Sequence, residues 1–353
     1  MNLPKKIKII CEEAYAETIW SKQLLGGLTK ELKKRRAAFE QLTHGNEIET
    51  GDSVCIVGLS NAWTEKTIKK CNAKRCVPVV LSSQSGRFAE GTYHLVCPDV
   101  CGMIKNLSRV LEKAGRKNLA LYGANNKADL DRDRTELFLT LVPDSGNVYR
   151  NTGNLENCFR SFLPKAGRYD AVLCVNGYAA ISLVKKLEKE SPEILEDLVI
   201  LSFEEVLRHS KYNQWISLID LNLEAYGGSA AAVLEMAGQR EDISTFTVTM
   251  KVDLCEIPKK NGAVHFEMPE ENEELFEDPE IISMAKIEQL LRDADDMDHH
   301  IIAMLLSNAK YSEIADSCYM TEGNVKYRVK KYMNICNCST KKELLELLQE
   351  YLQ

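Results

Sequence analysis

The chain has 353 residues, 44% of them hydrophobic and 27% charged, which fits a folded globular protein of about two domains and argues against long disorder, collagen and a coiled-coil rod. Lys and Arg number 45 against 52 Asp and Glu, and the net charge of −7 excludes a uniformly basic nucleic-acid coat while leaving local basic surfaces open. No apolar run approaches the roughly 20 residues a bilayer requires. The opening MNLPKKIKII has no long apolar region or small-residue cleavage site, so it reads as a first strand and cytoplasmic residence is expected.

Short apolar runs predict strands at 7–11, 53–58, 77–81, 94–96, 119–122, 171–175, 198–201 and 245–254. Helix-period segments at 21–36, 100–114 and 178–189 lie between them. Alternation of this kind predicts parallel βαβ layers, and near-continuous apolar strands predict sheets covered on both faces. Ligands in such folds bind beyond the carboxyl ends of the strands. The composition changes after Leu254: residues 256–280 carry Pro258, Pro269 and Pro279 in a dense acidic run and read as a linker. Helical patterns follow at 281–292, 297–307, 312–318, 322–335 and 341–352.

Twelve cysteines raise the question of metal or disulfides. No C-x-x-C pair occurs, no two histidines stand at ligand spacing near cysteines, and most cysteines sit in apolar company, as in SVCIVG and AVLCVNG. Buried free thiols in a reducing compartment are expected, with no metal and no cofactor.

The clearest chemistry lies between Asp295 and Leu352. A short helix ending near Cys318, a tight turn at Tyr319–Met320, Thr321 as N-cap and a second helix have the order of a helix-turn-helix. Ile314, Ala315, Cys318, Met320 and Val325 are spaced as its small core. The second helix carries Lys326, Arg328, Lys330 and Lys331 against Glu322 at its start, a face suited to a phosphate-lined major groove. Thr340 and Glu343 form a capping-box pattern for the last helix. A generic helical bundle with a solvated basic helix is the plainer reading of the same residues.

This segment resembles the LuxR-type (GerE-like) DNA-binding domain. The likeness rests on Glu313-Ile314-Ala315, on Thr321 followed by Val325-Lys326-Tyr327-Arg328, and on Glu343-Leu344 after a short linker. Asp295 and Asp298 stand where that family usually has Thr and Glu, and Asn308 and Asn337 stand for glycines. The resemblance implies double-stranded DNA as partner. Lys326, Lys330 and Lys331 are expected on phosphates, Arg328 and Asn324 on base edges, and Thr321 and Tyr327 within the same interface.

Residues 5–255 resemble the periplasmic-binding-protein-like (type 1) sensor of the LacI family. The carrying passages are YHLVCPDVCGMIKNLSRVLEKAGRKNLALYGANN with Asp99, the R-x-x-x-F of Arg134 to Phe138, YDAVLCVNG with Asn176, and VILSFEE with Glu204. The resemblance implies an α/β fold of two lobes around a cleft and a small-molecule effector, with a sugar as one candidate. Ser60, Asp99, Arg134, Asn176 and Glu204, each after a strand or opening a helix, are the candidate polar ligand groups. Tyr15 and Trp20, with Tyr178 and Trp215, are candidate stacking faces. Asp99 also reads as a helix cap, Arg134 as a surface ion-pair partner, Asn176 as a turn former with Gly177, and the aromatics as core. The resemblance begins at the first sensor strand, so the amino-terminal helix-turn-helix of LacI repressors is not expected, and the span 36–53 has room for one extended segment.

No G-x-G-x-x-G follows the first strand, and G-x-x-x-x-G-K-[ST] and G-x-S-x-G do not occur, so no enzyme is expected. The expectation is a two-lobed α/β sensor at 1–255, an acidic linker at 256–280 and a helix-turn-helix domain at 281–353, acting as a homodimeric regulator. A small-molecule-binding protein whose helical tail makes protein contacts is the alternative.

Overall fold

The computed structural model describes residues 7–16, 19–42, 47–82, 88, 91–113, 117–142, 145–203, 206–207, 210–240, 242–254 and 278–352. Strands β1 (Ile7–Cys11), β2 (Phe39–Leu42), β3 (Ser53–Val57), β4 (Val79–Leu81), β5 (His94–Pro98) and β11 (Thr247–Met250) form one sheet in the order β11-β5-β4-β3-β1-β2, parallel throughout. Strands β6 (Leu119–Ala124), β7 (Val148–Arg150), β8 (Ala171–Cys174), β9 (Val199–Ser202), β10 (Ile216–Asp220) and β12 (Asp253–Leu254) form a second sheet, β12-β10-β9-β8-β6-β7, in which only β12 is antiparallel. Val54 to Val57 and Ala171 to Cys174 are fully buried, as strands covered on both faces must be.

Helices α1 (Ile19–Lys34) and α2 (Asn61–Ala73) belong to the first lobe. Helices α3 (Val100–Lys113), α4 (Asp129–Leu141), α5 (Leu155–Phe162), α6 (Gly177–Glu190) and α7 (Pro192–Asp197) belong to the second. Helix α8 (Leu223–Gln239) returns to the first lobe and packs on α1, β4 and β5. Its contact with α1 is backbone on backbone. A Cβ on Gly27 would lie 2.0 Å from the Glu224 carbonyl oxygen, and one on Gly227 2.0 Å from that of Leu24. Among the described residues the chain thus passes between lobes three times, from β5 to α3, from β10 to α8 and from β11 to β12.

The span 245–254, expected as one strand, is two strands in different sheets, because residues 251 and 252 carry the chain across. Strands β7 and β10 were not expected; β2 fills the segment for which one extended stretch was foreseen.

The carboxyl-terminal helices fall close to their expected positions: α9 (Pro279–Arg292), α10 (Asp296–Leu306), α11 (Tyr311–Ser317), α12 (Glu322–Ile335) and α13 (Lys341–Tyr351). Asp278 caps α9 through the Glu280 N–H at 3.0 Å, and its other oxygen accepts from the Leu155 N–H, which opens α5. Glu280 lies between Lys185 at 2.7 Å and Lys186 at 2.5 Å. Burial alone would raise the Glu280 carboxyl, but Lys186 and Lys185 outweigh it and hold it below its ordinary range. Tyr178 donates to Glu288 at 3.0 Å, so α9 runs along α6. At the far end Lys185 meets Glu350 and the Tyr351 hydroxyl, both at 2.9 Å, and the Tyr212 hydroxyl donates to the Glu350 carbonyl at 3.1 Å. The helical module is therefore seated on the second lobe at both ends of its sequence. Among the described residues no helix is long and apolar enough to cross a membrane.

Candidate effector cleft and nucleic-acid interface

All three connections leave from the carboxyl ends of strands, so the carboxyl ends of both sheets face the space between lobes, where a ligand of such a fold binds. Protein groups meet there. Glu12, directly after β1 and 5% exposed, accepts from the backbone N–H groups of Leu59 at 2.9 Å and Ser60 at 3.0 Å, and from the Ser60 hydroxyl. The next N–H of α2, that of Asn61, is taken at 3.1 Å by Asp129 from the first residue of α4 in the second lobe. Two carboxylates thus sit on one helix amino terminus, where unpaired N–H groups and the helix dipole favour negative charge. Asp129 is also held by Arg132.

The expected ligand groups are placed as follows. Ser60 lies in this contact. Arg134 is 4% exposed, donates to the Val175 carbonyl at the end of β8, and lies over the Phe203 ring with 4.1 Å to its centroid. That brings it beside Asn176, at the second-lobe wall of the cleft. Asn176 caps α6, accepting from the Ala179 N–H at 2.9 Å. Asp99 caps α3, accepting from the Gly102 N–H at 2.9 Å, on the connection between lobes. The capping alternative thus accounts for both. Tyr15 is half-buried in the turn after β1. Trp20 is buried in the first-lobe core, and its Nε1 makes no hydrogen bond among the described residues. Glu204 lies outside the described residues. Glu12 and Asp129 were not singled out by sequence; an acid just after a strand end and one opening a helix were the available signals.

In the helical module Thr321 caps α12 by accepting from the Asn324 N–H at 3.2 Å. Ile314, Ala315, Cys318 and Val325 are buried, as the expected core requires. Val325, Val329 and Tyr332 form the inner face of α12, and Asn324, Lys326, Tyr327, Lys330 and Lys331 are exposed on the rest. Tyr311 adds a cation that sequence order had separated: its ring lies 5.9 Å from Lys326 Nζ and 4.3 Å from Lys341 Nζ. Asn308 and Asn337 take the left-handed φ of 61° and 53° expected of residues standing for glycine. Tyr319, closing α11, has φ 53° as well, a conformation that costs a side chain about 1–2 kcal/mol.

Arg328 is not on the open face. Its guanidinium donates to both Asp295 oxygens at 3.1 Å and to Asp298, which also accepts from the Tyr332 hydroxyl at 2.5 Å. Asp298, 3% exposed, forms a reciprocal capping box with Asp295 at the start of α10. Hydrogen bonds to Asp298 and then Asp295 hold the guanidinium charge more firmly than in water, and the Asp298 N–H and Arg328 hold the Asp295 carboxyl below its usual range. The expected base contact is, in this structure, a clamp between α10 and α12.

A groove of about 840 Å³ separates α6 from α9 and α13. Its charges, Lys185, Lys186, Glu280 and Glu350 among them, are paired with one another, so it is the seam of the docked module.

No family model matches the sequence, and no curated protein matches it. Solved structures do. A complex of the transcriptional regulator CelR with cellobiose is 13% identical, with a TM-score of 0.54 over 72% of this chain and 84% of that one. A LacI transcriptional regulator from Lactobacillus brevis is 14% identical, TM-score 0.53, over 71% and 100%. The lac repressor dimer bound to operator and the anti-inducer ONPF is 11% identical, TM-score 0.52, over 71% and 92%. At such identities the likeness is one of fold: two α/β lobes in the arrangement found in LacI-type regulators.

Proposed function

We propose that the chain is a ligand-responsive DNA-binding transcription regulator. The sensor is the span expected at 1–255, the linker stops short of Asp278 and not at residue 280, because Asp278 to Glu280 open α9, and the helices from there to the carboxyl terminus form a LuxR-type helix-turn-helix domain that binds double-stranded DNA. The observation that carries the reading is α12. It is capped by Thr321, its inner face fills a small core with α11, and its outer face carries Asn324, Lys326, Tyr327, Lys330 and Lys331 to solvent although the module is docked. The sensor reading is supported by fold likeness to regulators solved with cellobiose and with sucrose. A small molecule, with a sugar as the first candidate, enters between the lobes at Ser60, Arg134 and Asn176, bounded by Tyr15, Trp20 and Asp99. Its binding shifts the lobe arrangement, and a homodimer converts that shift into a change in the spacing of two recognition helices. No cofactor takes part, and the protein works in the cytoplasm.

The test is fluorescence-anisotropy titration of the full chain with mixed genomic DNA fragments at several salt concentrations, with and without a library of small metabolites. Steep salt dependence that one compound shifts is the expected result. Absence of binding at low salt sinks the reading and favours a helical tail devoted to protein contacts.

A further inference from the structure

We propose that Tyr319 is a DNA-backbone contact in its own right, its ring against a sugar and its hydroxyl donating to a phosphate at the edge of the groove that α12 enters. The proposal rests on the DNA-binding reading of α12 and adds a residue to it.

Three helix ends in the module are closed in the same way. After α10 the Ala309 N–H returns to the Met304 carbonyl at 3.0 Å, after α11 the Met320 N–H returns to Ala315 at 2.9 Å, and after α12 the Cys338 N–H returns to Met333 at 2.8 Å. Each closure puts the preceding residue in the left-handed region, where glycine is usual and asparagine is tolerated. The first and third use Asn308 and Asn337; the second uses Tyr319. Arg36 and Arg75 share the conformation at the ends of α1 and α2, but their charged heads are well served by water. Tyr319 is 98% exposed, so its ring is left to solvent and packs against none of the described residues. Folding alone gains nothing from an aromatic side chain here and bears a conformational cost for it. A contact outside the chain accounts for its presence.

Position and charge identify that contact. Tyr319 stands two residues before Thr321, at the amino end of α12. Among the described residues the exposed large apolar side chains are Val77, Met236, Tyr319 and Tyr327, so two of the four flank the first turns of this helix. Gly323 lies between them, and a Cβ there would meet only Thr321 Oγ1, at 3.7 Å, so no packing demands a glycine. A bare backbone patch between two phenols, beside Lys326, Lys330, Lys331 and Lys341, fits a polyanion approaching closely. Tyrosine hydroxyls are ordinary donors to DNA phosphates.

The test compares the full-length wild type with Tyr319→Asn, the residue that the two sister closures use, and with Tyr319→Phe. For Tyr319→Asn the expected results are a melting temperature equal to or above wild type and DNA affinity lower by about three- to tenfold on every sequence. The salt slope stays unchanged, because an uncharged donor releases no counterion. Tyr319→Phe falls between the two. Affinity within twofold of wild type in Tyr319→Asn overturns the proposal, and a drop in its melting temperature overturns the cost argument beneath it. A wild type that binds no DNA at low salt sinks the regulator reading itself, which separates the two failures.

Discussion

The Asp129 carboxylate of the second lobe accepts a hydrogen bond at 3.1 Å from the Asn61 N–H, the first residue of α2 in the first lobe. Glu12 already satisfies the preceding two N–H groups from within the first lobe, so Asp129 completes the cap from across the cleft. A charge-assisted hydrogen bond at a helix amino terminus is worth about 0.5–1.5 kcal/mol. Asp129→Ala is therefore expected to shift the lobes toward an open arrangement. Amide hydrogen exchange at Asn61 should speed up about three- to tenfold, and small-angle scattering should give a larger radius of gyration. Unchanged values of both would mean that the lobes are held without this bond.

Adjacent glycines in α1 should respond with opposite signs. A methyl group on Gly27 meets the Glu224 carbonyl oxygen at 2.0 Å, whereas one on Gly26 meets nothing within 4 Å. Gly27→Ala must push α1 off α8 and should cost about 1–3 kcal/mol in urea unfolding. Gly26→Ala adds helix propensity and should gain about 0.5–1 kcal/mol. Equal effects of the two would show that the helices do not touch through their backbones.

Asp133 makes stability fall as pH rises. Burial, reinforced by Glu136 and Asp129, pushes its carboxyl up to about 6 from 3.8, and Oδ2 makes no hydrogen bond among the described residues. Below both values the carboxyl is protonated in the folded and unfolded chain alike. As pH rises through this window the unfolded chain loses its proton first, so folding is penalised, and the penalty is complete above about 6. Asp133→Asn removes it. Urea titrations at pH 4 and 7.5 should show the variant gaining on wild type by about 1–2 kcal/mol more at the higher pH, a figure reduced for partial exposure. An equal gain at both pH values would assign the effect to packing.

Legibility followed locality. The helices of the module were readable because their stops are written in adjacent residues: Thr321 caps α12, Thr340 caps α13 through the Glu343 N–H at 3.1 Å, and Asn308 and Asn337 close α10 and α12. The span 245–254 was misread because uniform β propensity does not record a change of sheet. Asp99 and Asn176 were ambiguous for a chemical reason, since a helix cap and a ligand contact both need an oxygen just after a strand. Glu12 and Asp129 were missed because their partners lie 47 and 68 residues away. The substituted pair Asp295 and Asp298 did carry a signal: two acids where the LuxR-type pattern has one call for a partner cation, and Arg328 is that cation.

Arg328 and Lys330, two residues apart on α12, should therefore fail differently. Arg328→Ala leaves Asp298 nearly buried with its cation gone, a loss of about 1–3 kcal/mol after discount for the partly exposed arginine. Its thermal unfolding should begin at lower temperature, while preference among DNA sequences is retained wherever the module is folded. Arg328→Lys should recover only part of the loss, because one ammonium does not reproduce a guanidinium that reaches both acids. Lys330 is exposed, so Lys330→Glu should leave melting unchanged, weaken binding on all sequences and lower the salt slope by about one or more. Competition anisotropy with two unrelated DNA sequences, run beside calorimetry on the same variants, separates the outcomes. Altered sequence preference in Arg328→Ala at unchanged melting temperature would mean that Arg328 leaves Asp298 on binding and reads a base.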